Sequence, residues 1–314
     1  MKPMFGTKRN REMFAKGDMV RIAAISILAA GIGWCAIPAA AQQPGQKTFS
    51  SAAEASRSLV DALKADDQPA LLNVLGADAK SILSSGDAVE DKNDRNDFIQ
   101  KYQQMHRLVN EPDGKTTLYI GAENWPTPIP LAEQNGAWYF DTATGKREIL
   151  YRRIGKNELA VIQLCRELVD AQKEYYAKPH DGDSSGHYAA KFYSDPNKHN
   201  GLYWKPVSGE GDSPIGPLVA SAAADGSPNG ADRKLQPFQG YYFRVLTGKE
   251  ANASGDSEGF AFLAFPAEYR SSGVMTFIVN QGGIVYEKDF GRRTAEIVKT
   301  IAQYNRDATW RKAD

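Results

Sequence analysis

"DTATGKREILYRRIGKNELAVIQLCRELVDAQKEYYAK", residues 141–178, decides the fold, because strand-like and helix-like patterns meet inside it. Residues 141–146 are dense in turn formers, and "EILYRRI" (148–154) reads as a β-rich run. Asn157 then caps a helix over residues 158–178, roughly 30 Å long. Val161, Cys165, Leu168 and Tyr175 share one face of it, and Ile162, Val169 and Tyr176 widen that face. A stripe so broad needs a large apolar partner.

The partner lies downstream. "YYFRVLT" (241–247), "FAFLAFP" (260–266), "VMTFIVN" (274–280) and "IVYEKDF" (284–290) are rich in aromatic and β-branched residues, as strands are. Gln281-Gly282-Gly283 closes a hairpin between the last two. A terminal helix over residues 294–304 turns Ile297, Val298 and Ile301 to the core. Between helix and strands, residues 178–240 form a long region of Gly, Pro, Ser and Asp. A loop that long in a compact domain is functional or is held by something.

Upstream the order is helices, then strands. Ser51-Ala52-Ala53-Glu54 matches a capping box, followed by a stripe of Ala55, Leu59, Ala62 and Leu63. A second helix spans residues 69–75, with Pro69 at its start and Gly76 at its end. "RNDFIQKYQQMHRLV" (95–109) is a third. "TTLYIG" and "AWYFDT" are strands separated by the turn-rich "NWPTPIP". The fold class is therefore α+β: an amino-terminal helix-and-sheet roll of cystatin or nuclear-transport-factor-2 type, then a long helix packed on a four-stranded antiparallel sheet. A helix laid on such a sheet also resembles the layout of pilin-like heads, in architecture alone.

The first 41 residues stand outside that fold. Lys2, Lys8, Arg9, Arg11, Lys16 and Arg21 precede an apolar run and Ala39-Ala40-Ala41, the pattern of a cleavable signal peptide. The apolar run is shorter than the roughly 20 residues of a membrane span. The expected organisation is a signal peptide over 1–41, a roll-like domain over 42–155 and a helix-on-sheet domain over 156–314. The mature chain then has no membrane span and is periplasmic or secreted. The whole chain balances 38 basic against 38 acidic residues; without the leader's six basic and two acidic residues the net charge is −4. No basic stripe remains to meet a nucleic acid. Cys35 leaves with the leader, so Cys165 has no intramolecular disulfide partner.

Few motifs carry chemistry. In "HDGDSSGHYAAKFYS" (180–194), Asp181, Asp183 and Ser185 fall at positions 1, 3 and 5 of an EF-hand-type loop. Gly186 takes the sharp-turn position and His187 offers a carbonyl, so calcium is the cofactor this stretch suggests. Phe192 stands where the bidentate glutamate belongs, and the rival reading is an acidic turn with Asp183 or Ser184 capping a following helix. His180, His187 and His199 crowd together without the spacing of a zinc motif. "GDSPIG" (211–216) has the Gly-Asp-Ser of some ester hydrolases, yet no histidine follows it. Cys165 lies on the apolar helix face, where thiols pack as hydrophobes. Trp125, Tyr203 and Trp204, in turn-rich context, are the expected surface for a glycan, a peptide or a partner protein of the cell envelope.

The runs "NWPTPIPL", "RRIGKNEL", "GLYW", "SPIGPL", "PFQGYYFRVLTG" and "GFAFLAFPAEYRSSGVMTFIVNQGGIVYEKDFG" resemble the secreted bacterial family called domain of unknown function 2950. The likeness covers residues 50–312 and implies export without an assigned activity, so it carries no catalytic residues with it. Family members tend toward a D-x-D-x-D-G-like loop; Ser185 replaces the third aspartate here, which weakens the metal reading. Residues 249–259 also look shorter than the family's glycine-rich insert.

The expectation is an exported, non-catalytic binding or envelope-assembly module. The alternatives are an envelope hydrolase using carboxylates such as Asp181, Asp183, Glu268 or Asp289, and a small-ligand carrier using the interior of the amino-terminal roll. Intact-mass measurement of the protein recovered from its native compartment is expected to give a chain that begins at Gln42; retention of residues 1–41 would refute processing.

Overall fold

The computed structural model describes residues 42–83, 88–207, 211–224, 235–247 and 259–313. They form an α+β protein with two antiparallel sheets, in two compact units whose boundary in sequence falls between Arg152 and Arg153.

In the first unit, helix α1 (Ala52–Lys64) starts at Ser51, whose Oγ accepts the Glu54 amide at 3.2 Å. The Glu54 carboxylate reaches back to the amide and hydroxyl of Ser50, one residue before the cap. These bonds hold it below the usual carboxylate range. Helix α2 (Gln68–Leu75) is capped by Asp67 and stops at Gly76, whose φ of +88° suits glycine best. Helix α3 (Ala88–Gln104) ends earlier than the sequence suggested. His106–Asn110 is strand β1, pairing with β2 (Thr116–Ile120), so Leu108 and Val109 lie on a strand rather than a helix. The hydrophobic spacing of "MHRLV" fits either element, and the antiparallel pairing partner decides. Short β3 (Trp125–Pro126) also pairs with β2, and β4 (Leu131–Gln134) joins it to β5 (Ala137–Phe140). Phe49, Leu59, Leu71, Leu131 and Phe140 make the main core of this unit.

The largest departure from expectation is at residues 141–157. There is neither a turn at 141–146 nor a strand at 148–154: helix α4 runs without a break over Thr142–Tyr176. Asp141 caps it, with Oδ1 accepting the Thr144 amide at 3.0 Å and its carbonyl accepting the Gly145 amide. The Asp141 side chain is 2 % exposed and pairs with Lys115 Nζ at 2.9 Å. Burial raises its pKa, but hydrogen bonds from Thr144 and Lys115 outweigh burial and hold the carboxyl below its ordinary value. Gly145 permits the first turn to abut Ile129, since a Cβ would come within 2.6 Å of that side chain. Asn157 is an interior helix residue, not a cap; its Nδ2 donates to Ser272 O at 2.8 Å.

The second unit holds the remainder of α4 against a sheet in the order β10–β9–β8–β7–β6: Arg311–Lys312, Val285–Lys288, Thr276–Asn280, Phe260–Pro266 and Tyr241–Thr247. Among the described residues the sheet thus has five strands, the two-residue β10 closing one edge. Along β7, Phe260, Phe262 and Ala264 face the cluster of Val161, Cys165, Leu168 and Tyr175, while Ala261 and Leu263 face Val298 and Trp310. Burial on both sides explains the near-continuous apolar run. Tyr176 does not widen the helix stripe; it is 42 % exposed. Short helix α5 (Pro217–Ser221) lies in the loop region, and α6 (Thr294–Thr300) stops before Ile301, which is extended; Arg244 Nη2 donates to the Val298 carbonyl at 2.6 Å and to that of Ile301.

Two polar side chains of α4, one buried and one half-buried, tie loops to it. Gln172, fully buried, donates from Nε2 to Ala189 O at 2.7 Å and accepts the Ala189 amide at 2.9 Å, as a strand neighbour would. Glu158 Oε1 accepts the amides of Val274 and Met275 at 2.7 and 2.9 Å.

Replacing Asp141 by alanine removes the cap and leaves Lys115 without its anion, at an expected cost of about 2–4 kcal/mol in chemical denaturation. Because its folded-state pKa is depressed, Asp141 stabilises above the ordinary carboxylate pKa, and this contribution is lost as pH falls through the folded value. Asp141→Asn keeps an acceptor for the cap and is expected to flatten that acid-side loss.

Candidate functional site

The long loop is held at the carboxy-terminal end of α4. Tyr175, in its last turn, is 1 % exposed and donates its hydroxyl to His199 O at 2.7 Å. Burial, with the nearby charges of Asp181 and Asp183, pushes its phenol up to about 12. The His180 ring stacks on Tyr175 at 4.0 Å, with its Nε2 2.9 Å from Tyr175 O, and His187 meets the same ring edge-on at 5.7 Å. His199 in turn packs edge-on against Trp204 at 4.6 Å, and Trp204 Nε1 donates to Gly211 O at 3.0 Å. The loop is thereby laced to the helix by rings and backbone bonds.

These contacts shape a cleft. Its lining includes Glu174, Lys178, His180, His199, Trp204 and Asp212. Glu174 and Asp212 form no ion pair among the described residues. Trp204 is half-buried, leaving part of the indole to solvent. An aromatic wall with carboxylates, imidazoles and one ammonium can stack on a ligand and hydrogen-bond to it.

The suggested calcium ligands are engaged otherwise. Both oxygens of Asp181 accept the His199 amide, at 3.0 and 2.8 Å, and Asp183 lies 3.3 Å from His187 Nδ1. Asp181 and Gly182 both adopt positive φ, +53° and +90°, which turns the chain sharply there. Gly186 is required by packing, because a Cβ would sit 1.9 Å from Tyr176 O. Phe192, at the twelfth loop position, is fully buried and packs on Phe262 at 5.6 Å. Among the described residues no three His, Cys, Asp or Glu side chains group so as to hold a metal. Nor does a helix follow residues 183–184, so neither Asp183 nor Ser184 is a helix cap.

Of the three aromatic candidates, Trp204 lines the cleft. Tyr203 packs edge-on with Tyr193 at 5.1 Å against the core, and so pins the loop. Trp125 belongs to the first unit, where the Arg152 guanidinium lies 5.4 Å from its ring and Arg152 Nη1 donates to Pro126 O. Ser213 donates to Ile215 O within a turn. Cys165 is fully buried, which pushes its thiol up to about 12 and leaves little thiolate for nucleophilic chemistry. Asp289 accepts the Tyr269 hydroxyl at 3.2 Å and the Gly291 amide at 2.7 Å, and Glu268 opens a backbone turn closed by Ser272. Glu174, Lys178 and Asp212 were not legible as site residues; a helix-surface acid and a loop acid 38 positions later share no motif.

The melting temperature is expected not to rise in 10 mM calcium. A weak site of Kd about 10⁻⁴ to 10⁻³ M would add roughly 1.4–2.7 kcal/mol, and its loss in Asp181→Ala with Asp183→Ala would establish metal binding.

No curated protein and no solved structure matches the chain. Residues 46–313 match the family model described as protein of unknown function (DUF2950), and the chain belongs to that family.

Proposed function

We propose that the protein is an exported, non-catalytic binding module of the cell envelope, and that it takes its ligand in the cleft beside the end of α4. One observation carries this reading: Trp204, half-buried between ring contacts to His180 and His199, shares a concave surface with Glu174, Lys178 and Asp212. Such a wall offers stacking area at low entropic cost, with polar groups to orient what stacks on it. The basic-then-apolar leader supports export, and no helix among the described residues is long and apolar enough to cross a membrane.

A hydrolase reading has one specific support, the presence of Glu174 and Asp212 in the same cleft, since paired carboxylates can supply acid and base. Titration of the purified protein with envelope-derived glycans and peptides, followed by tryptophan fluorescence, tests both readings. Binding that is weakened in Trp204→Phe without turnover supports the module. Turnover abolished by Glu174→Gln would replace it with the hydrolase. No response of the cleft to any probe would remove both.

A further inference from the structure

Resting on the cleft reading, we infer that its ligand is cationic: a primary ammonium or guanidinium group presented by a basic peptide segment. The charge balance points this way. The lining carries two carboxylates, Glu174 and Asp212, against one ammonium, Lys178. The two carboxylates form no ion pair with a cation among the described residues, and Glu174 is partly exposed and Asp212 exposed, so both are accessible to a ligand in the cleft. Asp181 and Asp183 sit close enough to Tyr175 to disfavour its ionisation, which places further negative potential behind the same wall. A cation entering here meets carboxylate oxygens and the face of an indole together, two attractions that act on the same group. A neutral saccharide would use the indole but leave the carboxylates without a counter-charge, and an anionic ligand would be repelled by them.

Lys178 does not reverse the balance. It is exposed at the end of α4, on a flexible stem that can swing its head into water. Its removal is therefore a useful variant: it raises the net negative charge of the cleft while leaving the ring contacts of the loop alone.

The test compares a lysine-rich peptide, the same peptide with every lysine acetylated, and a neutral N-acetylglucosamine tetramer, each titrated into the purified protein by calorimetry. The lysine peptide is expected to bind, with affinity falling about tenfold from 50 to 300 mM salt and at least about fivefold on acetylation. Glu174→Gln with Asp212→Asn, surface changes that keep side-chain shape, is expected to weaken it about fivefold or more, and Lys178→Ala to strengthen it. Equal binding of the acetylated peptide, or an unchanged affinity in the Glu174→Gln, Asp212→Asn variant, overturns the cationic ligand. Binding of the tetramer alone, sensitive to Trp204→Phe, also overturns it while leaving the cleft reading in place. Absence of binding by all three probes ends both.

Discussion

The cap at Asp141 is the interaction on which the rest of the chain depends. Its carboxylate satisfies the Thr144 amide, receives the Lys115 ammonium and is almost wholly buried. A helix begun there continues for 35 residues, so the same element supplies a first turn to one unit and a long apolar face to the other. Had the helix started at Asn157, residues 148–154 would be free for a strand, and Asn157 would not be available to hold Ser272.

Downstream, the helix acts as a backbone partner as well as an apolar surface. Gln172 closes two hydrogen bonds with Ala189 inside the core, and Glu158 takes two amides of the segment before β8. Buried polar groups of this kind are costly unless satisfied, and when satisfied they choose one loop path among many. Tyr175 fixes the rest of that loop: its ring stacks on His180 and its hydroxyl donates to His199 O, which sets both histidines beside Trp204 at the cleft. The site is a consequence of how the loop is pinned rather than of any local motif.

Much was legible from residue order. The strands of the second sheet, the Ser51 cap, the stop at Gly76 and the buried face of Val161, Cys165 and Leu168 follow from local patterns that tertiary packing reinforces. The family resemblance was legible too, because it rests on long runs of residues. Errors fell where two periods fit equally well. "EILYRRI" has β-prone residues, yet it lies inside a capped helix; "MHRLV" has helical spacing, yet it pairs with β2. In the Asp-Gly-Asp-Ser-Ser-Gly stretch the aspartates serve the His199 amide and His187, partners that no local pattern announces.

By itself the sequence determined the α+β class, the principal strands of the second sheet, the charge balance and the family, since composition and short-range periodicity carry those. Only the tertiary structure decided where α4 begins, that Phe192 belongs to the core and that Glu174, Trp204 and Asp212 line one cleft. The physical reason is that a cap, a buried aromatic and a cleft each depend on a partner far along the chain. Asp141 needs Lys115, Phe192 needs Phe262, and Trp204 needs the end of α4; nothing within a window of neighbours reveals such partners.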